Sequence, residues 1–448
     1  MADKAVATAA AKLAYHQRLV FALTYITYAS VYFTRKPLSA AKTTLKADGT
    51  LTDNDLNIIE TSFMAAYAVG QFTIGPLCDR FGARRMLTAG FLGSAASTMA
   101  FSTASSTLGF AVFWGFNGLV QAGGYPLIMK ALSPWFSKTS RGSVIGFWTT
   151  CQQVGGALST KIPPVILSLY GWRPMFVYVS VWVAVCGLAI FFFLVEDPAL
   201  VGLRSSWPAP ARTASCTPPP PAGRRRLPPP ASAPGPATAP TSHRPGQAPK
   251  DLTYFQVARL PFLLNLGAAY FLIKLVRYVL IFWLLMFLQD EHGLAVGPAA
   301  SIAMLLDVGG AFGSILCGVL SDKVAGGRRM FIAAPMCVLT GVGLLLYPAA
   351  CAAGTVQNAV AITFIGLMVA GPDSVFGGPS CTDVCERANA NSNAVTTASG
   401  IVNGLGSMGT ILQSSLTVYV KVNYGWNHLF TVMAGLCFAA AGCVLPYV

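Results

Sequence analysis

The stretch that decides the fold is GPLCDRFGARR, residues 75–85, which has a counterpart in GVLSDKVAGGRR, residues 318–329. Each stretch ends a long apolar run, and each joins a Gly-x-x-x-Asp motif to a following basic residue and a paired Arg-Arg. The two aspartates, Asp79 and Asp322, are 243 residues apart. A motif that recurs at the same place in the apolar pattern indicates an internal repeat.

A second repeat has nearly the same offset. The tripeptide Tyr-Gly-Trp occurs at residues 170–172 and again at 424–426, which are 254 residues apart. Both copies lie between the fifth and sixth apolar runs of their part of the chain. Together the repeats predict two homologous six-helix halves, residues 1–197 and 256–448, related by a pseudo-twofold axis.

Composition indicates that these halves lie in a membrane. Of the 448 residues, 54% are hydrophobic and 10% are charged, whereas soluble domains average about 25% charged residues. A helix that spans a bilayer needs about 20 mostly apolar residues. Twelve such runs occur, at roughly 17–44, 58–78, 86–104, 107–131, 143–169, 174–195, 260–288, 298–320, 329–350, 357–382, 393–420 and 428–447. We therefore predict an all-α polytopic membrane protein with twelve transmembrane helices.

Residues 198–255 differ from both halves. They include TPPPPAGRRRLPPPASAPGPATAP, a Pro-rich and Arg-containing stretch that cannot build a core and is predicted to be a disordered linker. Positive charge concentrates in this linker and in the other even-numbered loops, so the positive-inside rule places both termini and the linker in the cytoplasm. These loops also account for the net charge of +14. Because the positive-inside rule explains this charge, no nucleic-acid partner is expected.

The repeat also pairs two arginines within the apolar runs. A shift of 242 residues carries Arg35 onto Arg277, each in the first helix of its half. Placing a cation at bilayer depth costs about 3 kcal/mol or more. Such a cation can be stabilised by pairing with a carboxylate, by snorkelling to the membrane interface or by binding an anion. The planar guanidinium matches phosphate bidentately and stays charged when desolvated. We favour a cationic site for a divalent tetrahedral anion between the halves.

Carboxylates that could neutralise these cations are few. The intramembrane candidates are Asp307, Asp373 and Asp383, all in the second half. Lys36 follows Arg35 directly and is either a second anion ligand or the partner of Asp373. For Asp373 itself the sequence leaves three roles open: pairing with Lys274, pairing with Lys36, or contact with substrate hydroxyl groups.

Several stretches resemble one known family. The 75–85 stretch resembles the loop motif of the major facilitator superfamily. The stretches that resemble its organophosphate:phosphate antiporters, which include glycerol-3-phosphate and glucose-6-phosphate transporters, are VYFTRKPLSA, SFMAAYAVGQFTIGPLCD, RGSVIGFWTTCQQVGG and LVRY. The resemblance covers nearly the whole chain apart from the Pro-rich linker, and it implies the major facilitator fold.

The resemblance also implies roles for individual residues. It implies that Arg35 and Arg277 bind the phosphate group of the substrate. It also implies that tyrosines and further polar residues line the translocation pore. The implied substrate-binding residues are Arg35, Arg277, Lys36, Tyr28, Tyr32, Tyr67, Gln152 and Lys274. The implied gating residues are Asp79, Arg80, Arg84, Asp322 and Arg328.

The chain departs from the bacterial glycerol-3-phosphate members at three pore positions. It has Gln71 and Gln152 where they have a lysine and a histidine, and Lys274 where they have a tyrosine, while it keeps their acidic position on helix eight as Asp307. These changes weaken the case for glycerol 3-phosphate as the substrate and leave a phosphate-bearing substrate in place. Loss of the histidine also removes a group that titrates near neutral pH.

We expect a secondary transporter that exchanges a hexose phosphate or glycerol 3-phosphate for inorganic phosphate by alternating access. The alternatives are a major facilitator transporter of another organic or inorganic anion, and a sugar-phosphate sensor that binds without transport. The sequence shows no nucleophile–base pair and no metal-ligand motif, so neither an enzyme nor a cofactor is expected. The protein is expected to act in the lipid bilayer as a monomer.

Overall fold

The computed structural model describes residues 2–136, 144–203, 252–325, 328–390 and 392–447, and within these ranges it consists of helices joined by short turns, without a β-strand. The α-helices are α1 Ala2–Arg35, α2 Pro37–Ala47, α3 Asp53–Phe81, α4 Ala83–Phe101, α5 Thr107–Gln121, α6 Gly124–Leu132, α7 Cys151–Tyr170, α8 Trp172–Phe193, α9 Tyr254–Ala258, α10 Leu263–Asp290, α11 Val296–Lys323, α12 Arg329–Ala353, α13 Thr355–Phe376, α14 Pro379–Arg387, α15 Ser392–Tyr424 and α16 Trp426–Val444. Residues 204–251, most of the predicted linker, lie outside the described ranges.

Six of the described helices are long and apolar enough to cross a membrane: α8, α10, α11, α12, α13 and α16. Their outward faces carry large exposed apolar side chains, among them Phe192, Phe312, Leu346 and Val360. Apolar surface of this extent is unfavourable in water and favourable against lipid. The protein is therefore an integral membrane protein with several spans, while the count of twelve stays a prediction.

Most helix packing lies within two parts of the chain, residues 2–203 and 252–447, and the predicted bounds of the halves stay a prediction. In the first part of the chain α3 packs on α5, α4 on α8, and α1 on α7 and α8; in the second part α11 packs on α13, α10 on α15, and α12 on α13 and α16. Contacts between the two parts come from α7 with α11, α3 with α15, and α2 with α10. The helices α3, α7 and α10, which carry Tyr67, Gln152, Lys274 and Arg277, therefore line the junction between the two parts.

Among the described residues, the apolar core joins the two parts at one end. At the end where α2 leads into α3 (the α2–α3 end), buried residues such as Leu45, Ile59 and Trp114 share one apolar cluster with the second part. At the opposite end, where α3 leads into α4 (the α3–α4 end), the first part has a separate cluster that includes Leu87 and Leu132. The molecule is thus closed at its α2–α3 end.

The two Tyr-Gly-Trp copies adopt the same conformation. Gly171 joins α7 to α8 with φ 85° and ψ 173°, and Gly425 joins α15 to α16 with φ 83° and ψ 172°. Glycine adopts positive φ without the steric cost that a Cβ brings. The tryptophans that follow, Trp172 and Trp426, are both buried, so the repeat in sequence is also a repeat in local structure.

Candidate functional site

Pro37 sets the backbone at the start of the site. Because proline lacks an N–H and cannot donate to the carbonyl four residues earlier, α1 ends at Arg35 and α2 begins at Pro37, although Lys36 keeps a right-handed helical conformation with φ −100° and ψ −11°. Lys36 lies between the two helices, and its backbone N–H donates to the Tyr32 carbonyl at 3.0 Å. The interruption directs two adjacent basic side chains to different places.

Arg35 is a buried cation with a neutral partner. Its side chain is 8% exposed, and its Nε donates to Gln121 Oε1 at 3.1 Å. The guanidinium carbon lies 5.4 Å from the centre of the Tyr32 ring and 5.1 Å from that of Tyr67, within cation–π range. Among the described residues no carboxylate pairs with Arg35, and no acceptor binds its two terminal nitrogens.

The Gln121 side chain is held by a small polar cluster. Its Nε2 donates to Asn117 Oδ1 at 2.7 Å, to Ser94 Oγ at 3.1 Å and to Thr34 Oγ1 at 3.2 Å. These acceptors occupy the amide nitrogen, so the amide oxygen is left to face Arg35. Sequence reasoning missed this cluster, although polar residues inside apolar runs were a signal that could have revealed it.

The predicted tyrosines lie beside Arg35. The Tyr32 hydroxyl donates to Gln152 Oε1 at 3.3 Å, which links α1 to α7. Tyr28 is buried, packs edge-on against Tyr32 with ring centres 6.5 Å apart, and also contacts Trp148. These residues form an aromatic wall on the first-half side of the site.

The second-half cations lie on α10 and face the same region. Tyr32 is close enough to interact electrostatically with both Arg35 and Arg277, and Tyr67 interacts with both Arg35 and Lys274. Lys274 Nζ lies 4.5 Å from the centre of the Tyr270 ring. That the predicted residues of the two halves form one site stays a prediction, which this electrostatic interaction supports.

Arg277 differs from Arg35 because it has a carboxylate partner. Its Nη1 donates to Asp373 Oδ2 on α13, and the two side chains are 19% and 14% exposed. Of the three roles left open for Asp373, the structure shows neither pairing with Lys274 nor pairing with Lys36 among the described residues, because α13 places this carboxylate against Arg277. The repeat pairs the two arginines by position, and the structure gives them different partners.

Lys36 forms an ion pair with a different carboxylate, that of Asp307. Its Nζ lies 2.6 Å from Asp307 Oδ2 and also donates to Thr160 Oγ1 at 3.0 Å and to the Gly156 carbonyl at 3.2 Å. In this conformation Lys36 is not available as an anion ligand because all three of its N–H donors have acceptors. The pair instead ties α7 and the α1–α2 junction to α11.

Gly156 allows that contact. A Cβ on Gly156 would lie 2.6 Å from Asp307 Oδ1, and one on Gly155 would lie 2.3 Å from the Ala29 carbonyl oxygen. Both distances are shorter than van der Waals contact. The Gly-Gly pair at the end of RGSVIGFWTTCQQVGG therefore lets α7 approach both α1 and Asp307.

The α2–α3 end is closed by a buried ring of four side chains. Lys42 Nζ lies 2.5 Å from Glu60 Oε1 and 3.3 Å from the centre of the Trp283 ring, and it donates to the Phe282 carbonyl at 3.0 Å. Trp283 Nε1 donates to Gln413 Oε1 at 3.1 Å, and Gln413 Nε2 donates to Glu60 Oε2 at 3.2 Å. This ring, called the barrier ring below, joins α2 and α3 to α10 and α15.

A second network lies at the same end. Lys421 Nζ lies 2.8 Å from Asp53 Oδ1 and 3.2 Å from Asp290 Oδ2, while Lys46 Nζ lies 2.8 Å from Asp53 Oδ2. Asp53 and Lys46 belong to the first half, and the other two residues belong to the second. Sequence reasoning did not assign a role to any residue of these two networks.

The predicted latch at the α3–α4 end stays a prediction. In the described part of the chain Arg80, Arg84, Asp322 and Arg328 form no ion pair, and the Asp79 side chain lies outside that part.

Other carboxylates act at the α3–α4 end instead. Glu196 accepts the backbone N–H groups of Ala83 and Arg84, at 3.0 and 2.8 Å, and so caps α4. Arg329 Nη1 donates to Asp383 Oδ1 within the second half. Each of these contacts stays inside one half.

Comparison with known proteins agrees with this geometry. The profile of the Major Facilitator Superfamily matches residues 24–393. Sugar phosphate exchanger 3 of Gallus gallus is 27% identical, over 93% of this chain and 89% of that protein. Glucose-6-phosphate exchanger SLC37A2 of Xenopus laevis is 25% identical, over 94% and 91%.

Solved structures agree on the fold. A crystal structure of a bacterial homologue of the human lysosomal transporter Spinster, in an inward-facing and occupied conformation, superposes with a TM-score of 0.69 at 14% identity, covering 96% of this chain and 97% of that one. The predicted fold class is thereby confirmed. The profile covers most of the chain, and this protein belongs to the Major Facilitator Superfamily.

Proposed function

We propose that the protein is a secondary transporter, not an enzyme, and that it exchanges a phosphorylated sugar for inorganic phosphate at one site between its halves. The observation that carries the proposal is Arg35, a buried guanidinium with unclaimed terminal nitrogens and no carboxylate partner among the described residues. Such a group is stable at bilayer depth when an anion completes it. The names of the relatives, sugar phosphate and glucose-6-phosphate exchangers, support the choice of anion.

The proposed cycle has two alternating conformations. Residues 1–197 and 256–448 rock as two bodies about the site, and the positive-inside rule places the closed α2–α3 end outside the cytoplasm. The present conformation is then open to the cytoplasm. In the opposite conformation the barrier ring separates and the α3–α4 end closes.

Charge at the site favours exchange over return of the empty carrier. Since Arg277 is paired with Asp373, the site cations that lack a carboxylate among the described residues are Arg35 and Lys274. They lie on opposite halves, so rocking without an anion keeps two uncompensated positive charges in a low-dielectric site. A divalent phosphate group neutralises them.

Counterflow in proteoliposomes tests the proposal. Vesicles loaded with inorganic phosphate should take up labelled glucose 6-phosphate, and vesicles without phosphate should not. Arg35→Lys and Arg277→Lys should each abolish the uptake, because an ammonium cannot replace the bidentate fork. Uptake that does not depend on internal phosphate, or full activity in either variant, contradicts the proposal.

A further inference from the structure

The two oxygens of Asp373 have different surroundings. Oδ2 accepts the hydrogen bond from Arg277, whereas Oδ1 is buried and has no hydrogen-bond partner. Among the carboxylates of the described ranges, Asp373 is the one with a buried, unsatisfied oxygen. Buried polar atoms without partners are rare in folded proteins, so an acceptor left open beside a binding site indicates a missing donor.

Two other paired carboxylates, the buried Glu60 and the partly exposed Asp53, show what a complete set of contacts looks like. Glu60 uses one oxygen for Lys42 and the other for Gln413, and Asp53 uses one each for Lys46 and Lys421. Those residues hold helices together. Asp373 has only one such contact: its Oδ1 is buried without a partner, although the side chain as a whole is 14% exposed.

The position of Asp373 determines whether it contacts the phosphate group or the sugar of a ligand. Arg277 binds Asp373 through Nη1, so its remaining N–H groups can hold a phosphate only a few ångströms from the carboxylate. Phosphate oxygens and a carboxylate oxygen repel each other, but a sugar hydroxyl attached to that phosphate donates to Oδ1 readily. The same ion pair therefore presents a donor surface to the phosphate and an acceptor to the sugar.

We propose that Asp373 is a specificity-determining residue, whose Oδ1 accepts a hydrogen bond from a hydroxyl group of the sugar and so separates phosphorylated sugars from phosphates that lack hydroxylated carbon. The inference rests on the proposed function and adds the residue that reads the organic part of the substrate. A site built to hydrogen-bond a substrate hydroxyl discriminates strongly against a ligand without it.

The test compares Asp373→Asn with the wild type for three substrates: inorganic phosphate, ethyl phosphate and glucose 6-phosphate. In the variant Arg277 holds the amide oxygen, so the NH₂ group takes the place of Oδ1 and an acceptor becomes a donor. The variant leaves Arg277 without its carboxylate for all three ligands alike, so the KM values for phosphate self-exchange and for ethyl phosphate should change by the same factor. The ratio of the glucose 6-phosphate KM to either of these two KM values should rise at least tenfold.

Asp383→Asn is the matched control, since it makes the same change in the other Arg–Asp pair, at the α3–α4 end. It should shift the three KM values alike or not at all. Phosphate self-exchange in the Asp373→Asn protein also shows that it folds. If the variant does not fold, the wild type alone decides, because it should prefer glucose 6-phosphate to ethyl phosphate at least tenfold.

Three results overturn the inference. Equal losses for all three substrates would make Asp373 only a support for Arg277, and unchanged glucose 6-phosphate transport would mean that it makes no contact with the sugar. A wild type that does not prefer glucose 6-phosphate to ethyl phosphate would also exclude it. If the wild-type protein shows no phosphate self-exchange, the proposed function itself is refuted. That result is distinct from the three above, which concern the role of Asp373.

Discussion

Lys42→Met should open the α2–α3 end. Lys42 is fully buried and Glu60 is 4% exposed, so the substitution leaves a carboxylate without its cation inside the closed barrier ring. Removing one partner of a buried ion pair costs about 3–5 kcal/mol. In the open conformation water reaches Glu60, so most of this cost falls on the closed state. Each 1.4 kcal/mol changes an equilibrium constant about tenfold, so the ratio of closed to open molecules should fall by roughly two to four powers of ten.

Cysteine labelling measures this shift. Ser39 on α2 is buried and lines a cavity with Lys36 and Asp307, so Ser39→Cys should react slowly with a membrane-impermeant maleimide applied from the α2–α3 side in the wild-type background and much faster with Lys42→Met. Lys12→Met is the control, because Lys12 makes an exposed contact with the Val201 carbonyl. It should leave the labelling rate unchanged.

A double substitution tests the electrostatic reasoning directly. Replacing a buried ion pair by apolar side chains of similar size is often neutral or stabilising, so Lys42→Met combined with Glu60→Leu should return labelling toward the slow rate. Rapid labelling in the double variant, or slow labelling in Lys42→Met alone, would refute the account of the barrier ring as an electrostatic closure.

Three further outcomes follow from named contacts. Gly156→Ala should separate Lys36 from Asp307 and reduce phosphate exchange at least tenfold, measured against Gly146→Ala, where a Cβ meets open space. Gln121→Leu should raise the KM for phosphate about tenfold through loss of the Arg35 contact of about 1.5 kcal/mol, with an unchanged KM contradicting the role of the polar cluster. Gly171→Ala should lower thermal stability by about 1–2 kcal/mol because its φ is positive, which a melting curve in detergent checks.

Much of the site could be predicted because the relevant signals are local or repeated. Pro37 ends α1 wherever the helix lies, so the break after Arg35 is a property of the chain itself. The repeat offset led from Arg35 to Arg277, and the structure brings both into the range of Tyr32. Neither step depends on how the helices are rotated against one another.

Ion-pair partners could not be predicted in this way. Lys36 meets Asp307 on α11 and Arg277 meets Asp373 on α13, although the sequence allowed either cation near Asp373. The choice depends on the depth and rotation of each helix. Helices that are apolar nearly all round carry little amphipathic signal to set that rotation.

The division between sequence and tertiary structure is therefore physical. The sequence by itself determined the membrane class from its apolar runs, the internal repeat from its motifs, and the candidate cations from the cost of charge at depth. Only the tertiary structure decided which cation is neutralised, which is left for an anion, and which end of the bundle is closed. Those outcomes depend on side chains from different helices meeting within about 3 Å, a range over which hydrogen bonds act and which the order of residues along one helix does not specify.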